Sequence, residues 1–535
     1  MNGFRVGGPA PKGGLYLGVV PEVAAARNGS TPLILDHDLV VRPDLGRRLT
    51  VAGLANQVDD LARRLFAAGV RPGDRVAVYL AGTFDICILT MAVARLGAVP
   101  AALSPALDAE TIDGLLRRLD QPHLLTDAGK LDALRDVPVR ELTKTVITTT
   151  GSATGAVSLA DLAGSAPVRP AFQGPDEPAL ITHTSGTTGL PKLVVHTPRT
   201  MLVRLRPQRV MLALMRRRET VAIHISFVHS RMFAALALCL AKGLPVLLMK
   251  EPDPDRVAGF LREYRPGLIE ALPNSFMAWE ELTDDPRRPF ASVKYFSSTF
   301  DAMHPRTISR FLSSSARSRP LFFQIYGQSE VGPAVGRPYF RRSARRMDGR
   351  CVGFALPGSA RVRVVSQGSG RPSPTNPGFI EVRWKGLAKT YFGEQERFSA
   401  EMHDGWRRTG DVGYRSRFGC LHLLDREVDV IPGVGSNLEI EDLVMGRLGE
   451  LTELVVVAGP RAEPIPVVCT VRDRPLDRDR WRAAVADLPQ LADPVHIPWS
   501  AVPRTATMKV RRIELSRRLR EAPTPQIPVA DKVGG

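Results

Sequence analysis

Short apolar runs alternate with segments of helical period along this sequence, and the alternation predicts an α/β protein built on mainly parallel sheets. Two further observations agree. At 535 residues the chain is too long for one hydrophobic core, so several subdomains are expected, and a hydrophobic content of 44% is ample to bury them. No uncharged apolar run reaches the roughly 20 residues that a membrane span needs, since Lys242 and Pro245 interrupt the nearest one, Met232 to Met249. A soluble, cytoplasmic protein is the expectation.

From about Leu49 to Phe66, apolar residues recur at three- and four-residue spacing behind Thr50, a candidate N-cap, which predicts a helix. Gly69 to Asp74 is a turn, Arg75 to Leu80 a buried strand, and Phe84 to Leu96 a helix ending near Gly97. Lys130 to Asp176 is rich in Thr, Ser, Ala, Gly and Pro and reads as an exposed connection. Strands are expected near Val221 to Ser226, Pro245 to Met249, Leu268 to Ala271, Val293 to Ser297 and Leu321 to Ile325, with helical patterns between them. Beyond Arg426 a smaller α/β pattern of about ninety residues predicts a separate C-terminal domain. Glu521 to Gly535, with three prolines and no period, is expected to be disordered.

The formal net charge of +17 admits a nucleic-acid partner, but the arginines are spread over the chain and no RNA or DNA motif accompanies them, so none is expected. Only 11 of the 72 basic residues are lysine, which makes each lysine in a motif more informative. Five cysteines, at 87, 239, 351, 420 and 469, are scattered, odd in number and without CxxC spacing. Neither a disulfide framework nor a zinc site is expected from them.

Chemistry is concentrated in residues 182 to 192, Thr182-His183-Thr184-Ser185-Gly186-Thr187-Thr188-Gly189-Leu190-Pro191-Lys192, between two apolar runs. The hydroxyls of Thr184, Ser185, Thr187 and Thr188 can donate hydrogen bonds, Gly186 and Gly189 let backbone N–H groups approach closely, and Lys192 adds a positive charge. These are the parts of a polyphosphate cradle. The loop lacks the Gly-Lys-Ser/Thr ending of a Walker A motif, and no helical pattern opens behind Lys192, so a plain P-loop NTPase is disfavoured.

Four further segments follow. His229 and Arg231 stand where a strand gives way to a helix, and Arg231 suits a polar or anionic group. Ser297-Ser298-Thr299-Phe300-Asp301 ends another strand. In Gln324-Ile325-Tyr326-Gly327-Gln328-Ser329-Glu330, Tyr326 offers a flat face, Gly327 space, Ser329 a donor and Glu330 a hard oxygen ligand for Mg²⁺. Asp411 sits in Thr409-Gly410-Asp411, where a carboxylate at a strand end can accept both hydroxyls of a ribose, and Arg426 and Lys509 come later.

In this order the segments resemble the adenylate-forming superfamily of acyl-CoA synthetases, peptide-synthetase adenylation domains and luciferases, from about Leu49 to Leu519. The resemblance implies a flexible N-terminus (1–20) and an adenylation domain (21–425) of two αβ sheets plus a small β-barrel-like subdomain. A mobile α+β lid (426–520) and a disordered tail (521–535) complete it. It further implies that the loop from Thr184 to Lys192 holds the β- and γ-phosphates of ATP, and that Ser298, Thr299 and Tyr326 meet adenine. Gly327 would leave room for the acyl group, Ser329 donate to the α-phosphate, Glu330 ligate Mg²⁺, and Asp411 and Arg426 hold the ribose and phosphate. His229 would close the acid pocket and Lys509 bridge the attacking oxygen and the α-phosphate. Val428, Pro432 and Met508 depart from the pattern.

No Asp stands near His229 to pair with an α-ammonium, so the resemblance implies a carboxylic acid lacking an α-amine, such as an aryl acid. The implied reaction is adenylation with pyrophosphate release, followed by transfer to a thiol of CoA or a carrier protein. The alternative is an amine acceptor, as in an amide synthetase or in nitrite-dependent diazotisation of an aryl amine in secondary metabolism.

Overall fold

The computed structural model describes residues 4–151, 153–184, 189–213, 219–299, 303–344, 348–504 and 510–521. The chain divides into two compact units, Met1–Leu423 and Leu424–Gly535. The tail expected to be disordered lies outside the described residues from 522 on.

The first unit carries two large sheets. In one, strand Arg75–Tyr79 lies between the parallel strands Val99–Leu103 and His123–Thr126. The sheet extends through Thr145–Thr148 to Val157–Ser158 on one side. On the other it passes through Leu180–His183 and the antiparallel Leu193–His196 to Thr390–Tyr391. The stretch read as an exposed connection therefore supplies the last two strands on the first of these sides, Val157–Ser158 being the edge. Thr145, Val146, Ile147 and Thr148 are all β-branched, and that local preference for a pleated surface outweighs the polar composition around them.

Helix Val51–Ala67 starts as expected: the Thr50 hydroxyl accepts the Gly53 N–H at 3.0 Å, and Leu54, Val58, Leu61 and Leu65 form its buried stripe. Helix Asp85–Arg95 contributes Ile88, Leu89 and Ala92 to the same core. At ~1.5–3 kcal/mol per buried Leu or Ile side chain, this stripe rather than intrinsic propensity holds the helix in place.

The second sheet places Pro32–Leu35, Val246–Leu248, Val221–His224, Leu268–Ala271, Tyr295–Thr299 and Leu321–Gln328 side by side, all parallel. It continues antiparallel through Gly332–Tyr339 and Cys351–Ala355. Leu421–Arg426, Trp406–Arg415, Gly378–Arg383 and Arg361–Val365 complete the path. The strands read as a small β subdomain thus extend this sheet. Because neighbouring parallel strands end together, His229, Glu270, Thr299 and Gly327 come from the same end of the sheet, the end at which open α/β sheets bind ligands.

One expectation is corrected here. Cys351 and Cys420 are 69 residues apart, yet their Cα atoms lie 6.6 Å from each other and the structure joins them as a disulfide. His422 pairs with Cys351 across the ladder. Sequence spacing gave no sign of this, because the pairing of Cys351–Ala355 with Leu421–Arg426 is a long-range register.

The second unit packs helices Asn437–Arg447 and Arg478–Val485 on a three-stranded sheet of Leu451–Ala458, Pro464–Thr470 and Val495–His496, around Ile440, Val444, Leu454, Val456, Val468 and Trp481. Its polar centre is Arg512, whose guanidinium makes a two-pronged pair with Glu441 at 2.6 and 2.8 Å. Asp425 accepts the Asn437 N–H at 3.0 Å, and burial pushes its pKa up to about 7 despite Arg512. Asp425 is therefore protonated in the folded unit at pH values where the unfolded chain, with a carboxylate pKa near 3.8, is ionised. The folded state binds more protons in that window, so the unit is expected to lose stability as pH rises from about 4 to about 7, by on the order of 2–4 kcal/mol. Hydrogen exchange of helix Asn437–Arg447 across this window checks it, and Asp425→Asn should flatten the slope.

Candidate active site

The described residues of the segment 182–192 belong to two paired strands and their ends. Leu180–His183 and Leu193–His196 pair antiparallel, and Thr184 closes the open end through its N–H to the Lys192 carbonyl (3.0 Å) and its hydroxyl to the Lys192 N–H (3.1 Å). Ser185, Gly186, Thr187 and Thr188 lie outside the described residues. Gly189 has φ +131°, backbone that side-chain-bearing residues rarely adopt.

Lys192 extends over the ring of Tyr391, 4.9 Å from its centroid, with Nζ 3.4 Å from the hydroxyl. That hydroxyl donates to Glu330 Oε1 at 2.6 Å and accepts from Arg407 at 2.8 Å. Burial alone would raise the Glu330 pKa, but Arg407, Tyr391 and Lys192 outweigh it and hold the carboxyl below its ordinary range. An ionised, rigidly held carboxylate beside a lysine and an arginine fits a hard cation shared with phosphate oxygens. Burial lowers the Lys192 pKa, opposed in part by Glu330.

Arg204, on helix Pro198–Ala213, locks the turn that carries these groups. Its guanidinium donates to the carbonyls of Ser329 and Glu330 at 3.0 Å each and to Gly386 at 2.8 Å. Ser329 is thereby held by its backbone, with its side chain half-exposed. Tyr326 is buried, its hydroxyl donating to Asp411 Oδ2 at 2.6 Å, and Gln328 donates to the same oxygen at 2.8 Å. Asp411 is thus aligned from strand Trp406–Arg415 against the turn after Leu321–Gln328. Gly327 has no room for a side chain, since a Cβ would lie 2.1 Å from the Gly332 carbonyl oxygen.

Between these elements lies a cavity open to solvent, lined among others by Arg204, Gln208, His229, Arg231, Thr299 and Gly327. His229 caps helix Ser230–Lys242, its ring accepting the Arg231 N–H at 3.2 Å. Arg231 makes a two-pronged pair with the buried Glu270, both contacts at 2.5 Å, and its third nitrogen, Nη1, is buried with no hydrogen-bond partner. Gln208 is 4% exposed, and neither end of its amide has a partner. The Thr299 and Ser298 hydroxyls are likewise unpaired. Each such group costs about 1–3 kcal/mol if left unsatisfied, and three of these residues, Gln208, Arg231 and Thr299, line the one cavity.

Of the residues expected from sequence, Thr184, Gly189, Lys192, Glu330, Ser329, Tyr326, Gly327, Asp411, Thr299 and His229 fall in the first unit around this hairpin, turn and cavity, with Ser298 at the adjoining strand end. Arg426 is exposed in the second unit, and Lys509 lies outside the described residues. Arg204, Gln208, Tyr391 and Arg407 were not foreseen. Arg204 and Gln208 are four residues apart on one helix face, a spacing legible in sequence, but only the fold tells which face looks inward.

Residues 22–392 match the AMP-binding enzyme family. A 3-amino-2-hydroxy-4-methoxybenzoate diazotase of Streptomyces cremeus is 48% identical over 527 residues, covering 94% of this chain and 95% of its own. A 4-chlorobenzoate–CoA ligase of an Arthrobacter species is 27% identical, covering 90% and 91%. Among solved structures, the amide bond synthetase McbA of Marinactinospora thermotolerans superposes with a TM-score of 0.75 at 22% identity, over 94% of this chain and 99% of its own. The chain belongs to the AMP-binding, adenylate-forming enzyme family. It is an AMP-forming ligase of an ATP-using family, and no helix among its described residues is long and apolar enough to cross a membrane.

Proposed function

We propose that this enzyme uses ATP to adenylate nitrite and passes the activated nitrogen to the amine of an amino-substituted aromatic acid. A nitrite oxygen attacks the α-phosphorus and pyrophosphate leaves. The lone pair of the aryl amine then attacks the nitrosyl nitrogen, AMP leaves, and loss of water yields the diazo product. The observation that carries this reading is the set of unpaired polar groups in an otherwise mainly apolar cavity. The apolar lining suits an aromatic ring, and Gln208, Arg231 Nη1 and Thr299 offer donors and an acceptor for its hydroxyl, amine and carboxylate groups. The 48% identity with a diazotase of an amino-hydroxybenzoate supports it.

In this proposal Thr184 to Lys192 cradle the β- and γ-phosphates, Asp411 and Arg426 hold the ribose, and Glu330 would hold Mg²⁺ to offset phosphate charge. Ser298, Thr299 and Tyr326 bound the adenine, Ser329 donates to the α-phosphate, and Gly327, whose side-chain position the Gly332 carbonyl fills, lines the pocket for the ring through its backbone. His229 borders the acid pocket. Residues 426–520 act as the lid that carries Lys509, in a cytoplasmic enzyme. Pyrophosphate release tests the reading. Release over many turnovers should require both nitrite and an aminobenzoate, nitrite alone sufficing for pyrophosphate exchange, and release driven by a carboxylic acid alone, with formation of a CoA thioester, would overturn it. Thioester formation is the second reading, supported by the 27% identity with a benzoate-type CoA ligase.

Arg231→Gln is expected to raise the KM for the aromatic amine about 10- to 100-fold, the value of a lost hydrogen bond to a charged group, with the KM for ATP unchanged. Because the change leaves Glu270 buried without its cation, Arg231→Gln/Glu270→Gln is the variant to compare for stability.

A further inference from the structure

Cys351, Cys420 and His422 are not among the groups assigned to adenylation. Cys420 and His422 are two residues apart at the start of strand Leu421–Arg426, so their side chains share one face of the sheet, and Cys351 meets His422 in register on the neighbouring strand. Both sulfurs and a ring nitrogen of His422 lie within 4.8 Å of one another, and both cysteines are buried. The disulfide accounts for the two sulfurs, but it gives no reason for the rest of the arrangement. His422 Nδ1 is 3.2 Å from Asp348 Oδ2 and 3.2 Å from the Tyr414 hydroxyl, and its ring stacks on Tyr414 at 4.6 Å. A carboxylate behind an imidazole fixes ring orientation and raises nitrogen basicity, as it does behind metal-bound histidines. The Arg337 guanidinium lies 3.9 Å from Cys420 Sγ, a neighbour that favours thiolate over thiol.

We propose that, with both sulfurs reduced, Cys351, Cys420 and His422 form a binding site for a thiophilic divalent cation, zinc by ligand type. Three protein ligands of this kind leave a fourth tetrahedral position for water. On binding, both thiols give up their protons to solvent, so uptake is accompanied by acid release. The site clasps strand Cys351–Ala355 to Leu421–Arg426, the direct neighbour of the strand that presents Asp411.

The test uses the full chain, purified and kept reduced with a phosphine. Elemental analysis should find about one zinc per chain, and replacement by Co²⁺ should give the thiolate-to-cobalt charge-transfer absorption in the near ultraviolet. Cys351→Ser and Cys420→Ser should each lose the metal and weaken that absorption, while His422→Gln should shift the cobalt spectrum and keep the thiolate band. Proton release on zinc addition, read with a pH indicator dye, is a second readout that needs no variant to fold. A reduced, folded wild-type chain that takes up neither zinc nor cobalt overturns the proposal. So does a Cys351→Ser/Cys420→Ser chain that binds zinc as well as wild type. Mass spectrometry that finds the disulfide in the protein as isolated, followed by metal-free thiols after reduction, overturns it equally.

Discussion

Lys509→Ala is expected to lower nitrite-dependent pyrophosphate formation by about 10²- to 10³-fold while leaving consumption of preformed adenylate nearly intact. The asymmetry follows from where charge develops. As the attacking oxygen closes on the α-phosphorus, negative charge gathers on the phosphate oxygens, and an ammonium bridging attacker and phosphate stabilises that arrangement more than it stabilises bound ATP. When the amine attacks the nitrosyl group, the bonding pair goes to the oxygen that leaves with AMP, already a good leaving group. The attacking lone pair meets a neutral nitrosyl nitrogen rather than an anionic phosphate, so less cationic help is needed. Pyrophosphate exchange reports the first step, and rapid mixing of chemically prepared adenylate with the aryl amine reports the second. Equal losses in both steps would assign Lys509 to folding of the second unit. The assignment rests on sequence resemblance, since 505–509 lie outside the described residues, and on the scarcity of lysine in a chain where 11 of 72 basic residues are lysine.

Much of the framework was legible because it is local. The Thr50 cap, the stripe Leu54, Val58, Leu61 and Leu65, and the strand starting at Arg75 are set by residues within one or two turns of each other. The hairpin around Thr184 and Lys192 was readable for the same reason. What sequence could not supply was pairing at a distance. Tyr391 reaches Glu330 across 61 positions, Arg204 reaches Ser329 across 125, and Cys351 meets Cys420 across 69. Each is an ordinary residue in its own neighbourhood and acquires a role only through the register of a sheet or the inward face of a helix. Tyr326 illustrates a subtler case: its aromatic face was visible in sequence, but not that its hydroxyl donates to Asp411 and so couples two strands of the same sheet.

Arg204→Met is expected to cost both stability and turnover, and the structure separates the two. The guanidinium is 3% exposed and donates to three carbonyls, while Met matches much of its length without any donor. Burial pulls the Arg204 pKa down to about 10, opposed by Glu330, so the group stays charged at neutral pH. Removing the cation leaves the Ser329 and Gly386 carbonyls without this donor, whereas the Glu330 carbonyl keeps the Ala388 N–H at 2.7 Å. A buried charged group with several hydrogen bonds is worth about 3–5 kcal/mol on removal. In a chain of two units a single melting temperature is ill-defined, so hydrogen exchange over 326–332 is the measurement that localises the loss. Turnover should fall about 100-fold even under conditions where the chain is folded, because Ser329 and Glu330 are held through the backbone that Arg204 grips and small displacements of positioned groups are costly. Arg204→Lys keeps the charge but lacks the planar fork and can satisfy only part of the carbonyl set, so it should fall between wild type and Arg204→Met in both measurements. A variant with weakened exchange protection at 326–332 but unaltered kcat would mean that the turn is free to move without consequence for phosphate chemistry, and would remove Arg204 from its positioning role.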